Sequence, residues 1–165
     1  MRNFHIGFSK NREGKIFSRM LQWYMKRDYS HTFFKFDDKI LHAEINDGVN
    51  YWSIEKFEEQ NIITKLYKIK ATDEYYNKMM EELDSHAGHK YAFLQNLGVI
   101  LVDFMKILGI SIRNPFRSGD NCSELVFHGL LERYPELSSN YRINSIRPDH
   151  IEDILLEKGF EEVTV

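Results

Sequence analysis

The sequence lacks the features of secreted, nucleic-acid-binding and membrane-spanning proteins. A single cysteine, Cys122, among 165 residues excludes an intramolecular disulfide framework and favours a reducing compartment. The 22 basic and 25 acidic residues give a net charge of -3, which leaves no basic excess for binding nucleic acid. The polar N-terminus has no apolar signal-peptide core. We therefore predict a cytoplasmic protein, with phage-associated or non-classical export as the alternative, and no nucleic-acid partner.

Long hydrophobic runs are also missing. The most apolar segment, 91–112, is interrupted by polar residues, so that its longest apolar run is 97–102. This is far below the roughly 20 residues that cross a bilayer. We interpret 91–109 as a buried helix, and contact of one exposed face with lipid or an acyl chain stays open.

The remaining pattern predicts an α+β fold in one domain, residues 1–165, with an antiparallel sheet packed against helices. Most of the predicted strands precede most of the helices. The predicted strands are 4–9, 31–36, 39–45, 61–70 and, at an edge, 160–165. The predicted helices follow residue 12, cover 73–84 and 91–109, run from 122 to about 134, and begin near Pro148.

Two histidines lie in a predicted hairpin. A two-residue turn at 37–38 places His31 opposite Glu44. The alternation of side chains along a strand then puts His42 and Glu44 on the same face as His31. The hairpin therefore offers one imidazole as a base and two polar groups that would orient it.

Cys122 lies at the predicted start of a helix, because loop and capping residues precede it in "SGDNCSELV". Unpaired backbone N–H groups and the helix dipole favour an anion at this end, so a lowered thiol pKa is expected. A thiolate with a nearby histidine base is the arrangement of nucleophilic cysteine enzymes. The backbone N–H of Cys122 is a candidate oxyanion donor.

The order of "YSH" (29–31), "LHAE" (41–44), "NCSELV" (121–126) and "RPDHIEDIL" (147–155) resembles the circularly permuted papain-like hydrolases. This clan is related to the NlpC-type peptidoglycan peptidases, and its branches include YiiX-like proteins and lecithin:retinol acyltransferase. The resemblance covers nearly the whole chain and implies a permuted papain-like fold.

The resemblance also implies the roles of the site residues. It assigns Cys122 as the nucleophile, His31 as the general base and His42 as the third triad member, with Glu44 as the alternative third member. Tyr91 is a candidate supporting residue near the site. Tyr51 and Trp52 are candidates for the substrate groove, because they follow the hairpin.

The predicted activity is hydrolysis of an amide or peptide bond, including a cell-wall or isopeptide bond, without a cofactor. Lipid amide or ester chemistry, as hydrolysis or acyl transfer, is the first alternative. A catalytically inactive binding module of the same fold is the second. His86 and His89 have metal-ligand spacing, but the sequence offers no third ligand beside them, so no metal is predicted.

Overall fold

A six-stranded antiparallel sheet with strand order β4-β3-β2-β1-β5-β6 forms the centre of the protein. This computed structural model describes residues 1–91, 98, 102, 105–106, 109–111 and 120–164. The strands are β1 Arg2–Asn11, β2 His31–Lys35, β3 Lys39–Glu44, β4 Gly48–Ser53, β5 Asn61–Ala71 and β6 Glu162–Val163. The helices are α1 Ile16–Met25, α2 Ile54–Gln60, α3 Asp73–His86, α4 Cys122–Leu131, α5 Leu137–Asn140 and α6 Pro148–Glu157, with a 3-10 turn at Ile143–Ser145.

The α+β class and the antiparallel sheet are as predicted, and so is the register of the β2–β3 hairpin. Phe34 pairs with Leu41 and Lys35 pairs with Ile40, a register that places His31 opposite Glu44. The backbone ladder between these strands does not continue beyond Phe34. Instead, His31 pairs with Ser9 of β1 and Glu44 pairs with Gly48 of β4, so the backbones of these two residues are not bridged to each other.

The two faces of the sheet carry separate cores, because side chains alternate along each strand. The larger core lies between the sheet and helices α3, α4 and α6 and includes Phe34. The smaller core is formed by Phe33, Ile40, Trp52, Phe57 and Leu66, and α2 covers it. Phe33 and Phe34 thus bury opposite faces of β2, and α4 packs on the Phe34 face.

Four short elements were not predicted, namely β4, α2, α5 and the 3-10 turn. Gly48 begins β4 at φ 68°, and a Cβ there would overlap the carbonyl oxygen of His89, so only glycine fits this tight turn. α2 has only seven residues, and Ser53 caps it by accepting a hydrogen bond from the Lys56 N–H at 3.2 Å. Both β4 and α2 are too short to give a clear periodic pattern of apolar residues in the sequence.

Other differences concern helix ends and the apolar segment. Helix α4 ends at Leu131 rather than near 134, and β6 is shorter than the predicted edge strand. Most of the predicted helix 91–109 lies outside the described residues, although Gly98, Val102 and Met105 are helical. Among the residues that are described, no helix has the length and apolar character needed to cross a membrane.

Candidate functional site

His31 and His42 form a hydrogen-bonded pair at the open end of the β2–β3 hairpin. His31 Nε2 lies 3.2 Å from His42 Nδ1, and the two rings meet edge to face at 86°. The ring of His42 packs at near right angles against Trp52 and Phe57, so it is held on more than one side. His42 is buried and His31 is half-buried.

Burial keeps both imidazoles neutral. Loss of solvent lowers the pKa of His31 to about 4. Burial, followed by the charges of His31 and Lys56, lowers the pKa of His42 to about 2. At neutral pH, one ring must therefore donate an N–H to the other.

The direction of that hydrogen bond decides what His31 is able to do. If His31 Nε2–H donates to His42 Nδ1, then His31 Nδ1 carries a lone pair and accepts a proton. In the opposite tautomer, His31 Nδ1 carries a hydrogen and accepts none. His42 Nε2 is buried and has no hydrogen-bond partner in the described part of the chain. Only the first tautomer makes His31 a general base.

Asn121 fixes the start of α4. Its side-chain oxygen accepts hydrogen bonds from the N–H groups of Ser123 and Glu124, both at 2.9 Å. Glu124 in turn accepts from the Asn121 N–H at 3.1 Å, which completes a capping box. The predicted helix start at Cys122 is confirmed, and the capping residue is Asn121.

The Cys122 thiol is enclosed beside β2. Cys122 is 3% exposed, and its sulfur lies 3.9 Å from the Ser123 hydroxyl and within hydrogen-bonding range of the Thr32 backbone. Burial raises the thiol pKa, and the backbone of Thr32 and then Ser123 act in the opposite direction. The expected lowering of the thiol pKa is therefore wrong, because burial outweighs the helix terminus.

The thiol and the imidazole approach β2 from different sides. The sulfur contacts the backbone of Thr32, the residue next to His31, whereas the His31 ring packs near Phe33 and Phe57. Among the contacts of the described residues, no hydrogen bond joins the sulfur to His31. The structure thus brings Cys122 to the neighbouring backbone position and places the His31–His42 pair on the other face.

A surface cleft includes most of the other predicted residues. His31, His42, Glu44 and Tyr91 line it together with residues of α1. Cys122 is not among the described residues that line this cleft, which is consistent with its burial. Among the described residues, the cleft is lined by Asn11, Lys15, Phe17, Ser18, Leu21, Ser30, His31, His42, Ala43, Glu44, Ile45, Asn61 and Tyr91.

Glu44 and Tyr91, the other two predicted site residues in the cleft, make different contacts with the rest of the protein. Glu44 accepts a hydrogen bond from the Asn46 N–H at 2.7 Å. His42, rather than Glu44, is the residue found at hydrogen-bond distance from His31. Tyr91 forms a parallel backbone bridge with Asp120, two residues before Cys122, so it connects the cleft to the start of α4.

The two aromatic residues proposed for a groove face elsewhere. The Tyr51 hydroxyl donates to Asp84 at 2.6 Å, on the side of the sheet covered by α3. Trp52 is 4% exposed and lies in the smaller core, with the Lys56 ammonium 3.8 Å from its ring centre. Neither lines the cleft at His31.

The structure assembles a second polar cluster that sequence reasoning missed. His86 and His89 both contact Asp120, and His86 and His128 both contact Glu82. Of these contacts, only His86–Glu82 had a local sequence signal, the i, i+4 helical spacing. The others depend on how α3, α4 and the segment before α4 pack together.

Comparisons with family models, with curated protein sequences and with solved structures found no match. The assignment of function therefore depends on the geometry of this chain and on the resemblance of its motifs.

Proposed function

We propose that the protein is a cysteine hydrolase that cleaves an amide or peptide bond, with Cys122 as nucleophile, His31 as general base and His42 as the residue that orients His31. The observation that carries this proposal is the 3.2 Å contact between His31 Nε2 and His42 Nδ1, because with His31 Nε2–H as the donor it leaves Nδ1 of His31 to accept a proton. The histidine motifs precede the cysteine motif along the chain, as in the permuted papain-like hydrolases, and this order supports both the fold and the triad.

The reaction begins from a neutral thiol and a neutral imidazole, since burial disfavours charge on both. His31 Nδ1 takes the thiol proton as the sulfur attacks the carbonyl carbon, and the carbonyl π electrons move to oxygen. The Cys122 N–H, at the first turn of α4, donates to this oxyanion. When the carbonyl reforms, the carbon–nitrogen bond breaks and His31 protonates the leaving amine, which leaves a thioester on Cys122.

Deacylation uses the same groups in reverse. His31 takes a proton from water, the resulting oxygen nucleophile attacks the thioester carbon, and the sulfur leaves and regains the proton. His42 accepts the Nε2–H of His31 throughout and keeps the ring in the tautomer that the first step requires. For this chemistry the sulfur must reach His31, and Thr32 lies between them. The reaction therefore requires the backbone at the start of β2 to shift.

The thioester is the direct test. Cys122 is the only cysteine, so an acyl adduct that intact mass detects in the wild type and not in Cys122→Ser is assigned to this thiol. The wild-type protein is incubated briefly with separate pools of peptide amides, cell-wall peptides and N-acyl lipids. We expect an adduct from one pool, with a rate that falls about 10²–10⁴-fold in His31→Ala.

The matched control is His5→Ala, because His5 is a half-buried histidine of β1 outside the site. It should form the adduct at the wild-type rate. Absence of an adduct from every pool, together with alkylation of Cys122 that His31→Ala leaves unchanged, would favour an inactive binding module instead.

A lipid substrate is the second candidate, and one observation favours it. Phe17, Leu21 and Ile45 give the cleft an apolar side, and α1 beside it leaves Ile16 88% and Trp23 79% exposed. If the substrate is an acyl lipid, Trp23→Ser should reduce turnover of vesicle-bound substrate while cleavage of a short soluble ester stays unchanged. If Trp23→Ser turns over the vesicle-bound substrate as fast as the wild type does, the α1 surface has no role in substrate binding.

A further inference from the structure

Five titratable side chains meet where α3, α4 and the segment before α4 pack together. Glu82 and His86 come from the last turns of α3, His128 from α4, and His89 and Asp120 from the segments that flank them. The rings of His86 and His128 lie 4.3 Å apart between centres. None of these residues has a part in the proposed hydrolase chemistry.

Two groups of three ligands are present within this cluster, and their spacing differs. In the inner group, Glu82 Oε1 lies 3.3 Å from His86 Nε2 and 3.0 Å from His128 Nδ1. Two ligand atoms of a tetrahedral zinc ion, each bound at about 2.0–2.1 Å, are about 3.3 Å apart. Both measured separations are close to this value, and all three ligand atoms lie within 4.8 Å of one another, as a shared ion requires.

The outer group has a different geometry. Asp120 Oδ2 lies 2.8 Å from both His86 Nδ1 and His89 Nδ1, which is the distance of a charge-assisted hydrogen bond. The His89 side chain is 52% exposed, whereas those of His86 and His128 are 12% and 24% exposed. Because His89 is this exposed, the outer contacts are better suited to orienting the imidazoles than to enclosing an ion.

Together the two groups have the two parts of a metal centre, namely side chains that bind the ion and a carboxylate that orients one of them. A histidine that binds a metal through one ring nitrogen commonly donates its other N–H to a carboxylate, which fixes the tautomer. His86 meets this condition, since Nε2 faces Glu82 while Nδ1 faces Asp120. The ligands also come from two packed helices, α3 and α4, so their separation is fixed by the core.

The geometry points to a binding site for a divalent transition metal of the zinc type, with Glu82, His86 and His128 as protein ligands and Asp120 as the residue that orients His86. Two imidazoles and one carboxylate favour zinc and its neighbours over magnesium or calcium, which prefer all-oxygen sites. Three protein ligands leave a fourth tetrahedral position for water or a further ligand.

Zinc binding to the full chain tests this assignment. The protein is freed of metal with a chelator and titrated with ZnCl2 by calorimetry, with MgCl2 as the comparison. We expect one equivalent of zinc to bind, no binding of magnesium, and a rise in the unfolding temperature with zinc. His128→Ala and Glu82→Gln should lose this binding, and Asp120→Asn should weaken it about 10–100-fold.

Three control variants make the result specific. His89→Ala should keep at least a tenth of the wild-type affinity, and His5→Ala and Cys122→Ala should bind as the wild type does. The Cys122→Ala arm separates this site from the proposed hydrolase, because loss of the thiol does not touch the ligands. Each variant's unfolding temperature without metal shows whether it is folded.

Two results would overturn the inference. If zinc does not bind to folded wild-type protein, the cluster is a network of hydrogen bonds between histidines and carboxylates only. If His89→Ala abolishes binding while His128→Ala retains it, the ligands are the outer group and our assignment is wrong.

Discussion

Acid should destabilise this protein through the His31–His42 pair. The folded-state pKa values, about 4 for His31 and about 2 for His42, lie below the value of about 6.5 for an exposed imidazole. The unfolded chain therefore binds protons on both rings before the folded chain does. The stability that these rings contribute is fully present above about pH 6.5 and is lost as the pH falls, down to about 4 for His31 and to about 2 for His42.

The size of the effect follows from the pKa difference. Between pH 8 and pH 5, one such imidazole lowers the free energy of unfolding by about 2 kcal/mol, at about 1.36 kcal/mol per pKa unit. The rings of His31 and His42 are in contact and titrate as a pair, and His31 is half-buried. We therefore expect the pair to contribute about 3 kcal/mol of acid destabilisation rather than twice the single value.

Urea unfolding at pH 8 and pH 5, with a chelator present, measures this difference. His31→Gln and His42→Gln should each lose about 1.5 kcal/mol less than the wild type between the two pH values. If both pair variants lose stability as steeply as the wild type, His31 and His42 are not held neutral by burial.

Three further changes test the surroundings of the site. Asn121→Ala removes the cap of α4 and should cost about 1–2 kcal/mol of unfolding free energy by urea titration; no loss would mean that Glu124 alone secures this helix end. Glu152→Ala should cost about 3–5 kcal/mol by the same measurement, because its buried carboxylate accepts from two tyrosines and pairs with two cations, while Glu161→Ala at an exposed position should cost little. Cys122 should react with iodoacetamide more slowly than free cysteine at pH 7, since burial shields the thiol and raises its pKa; faster labelling would contradict both effects.

The part of the site that depends on local rules was predictable from the sequence. The turn at 37–38 fixes the hairpin register, and the register places His31 opposite Glu44. The sequence therefore indicated that His31 and His42 share a face, and their ring nitrogens are in contact. The start of α4 was equally local, because "DNCSEL" contains both partners of the capping box.

The rest depends on packing between distant segments. The pKa of Cys122 follows from how completely β2 and the core cover the sulfur, which a helix-start motif does not encode. The contact between His86 and Asp120 joins residues 34 positions apart, and although His86 and His89 have metal-ligand spacing, nothing local marks Asp120 as their partner. β4 was missed because its turn residues dominate a strand of only six residues.

Asp120, Asn121 and Cys122 connect the two polar centres of the molecule. The Asp120 carboxylate is held by His86 and His89, and its N–H donates to the Lys90 carbonyl at 3.1 Å. The next residue, Asn121, caps α4, and the residue after it carries the thiol. Asp120 is fixed by its side chain and its backbone, and α4 is fixed by the core, so the short stretch between them leaves little freedom for the backbone at Cys122. The histidine cluster thus helps to set where Cys122 stands against Thr32, even though it lies outside the cleft.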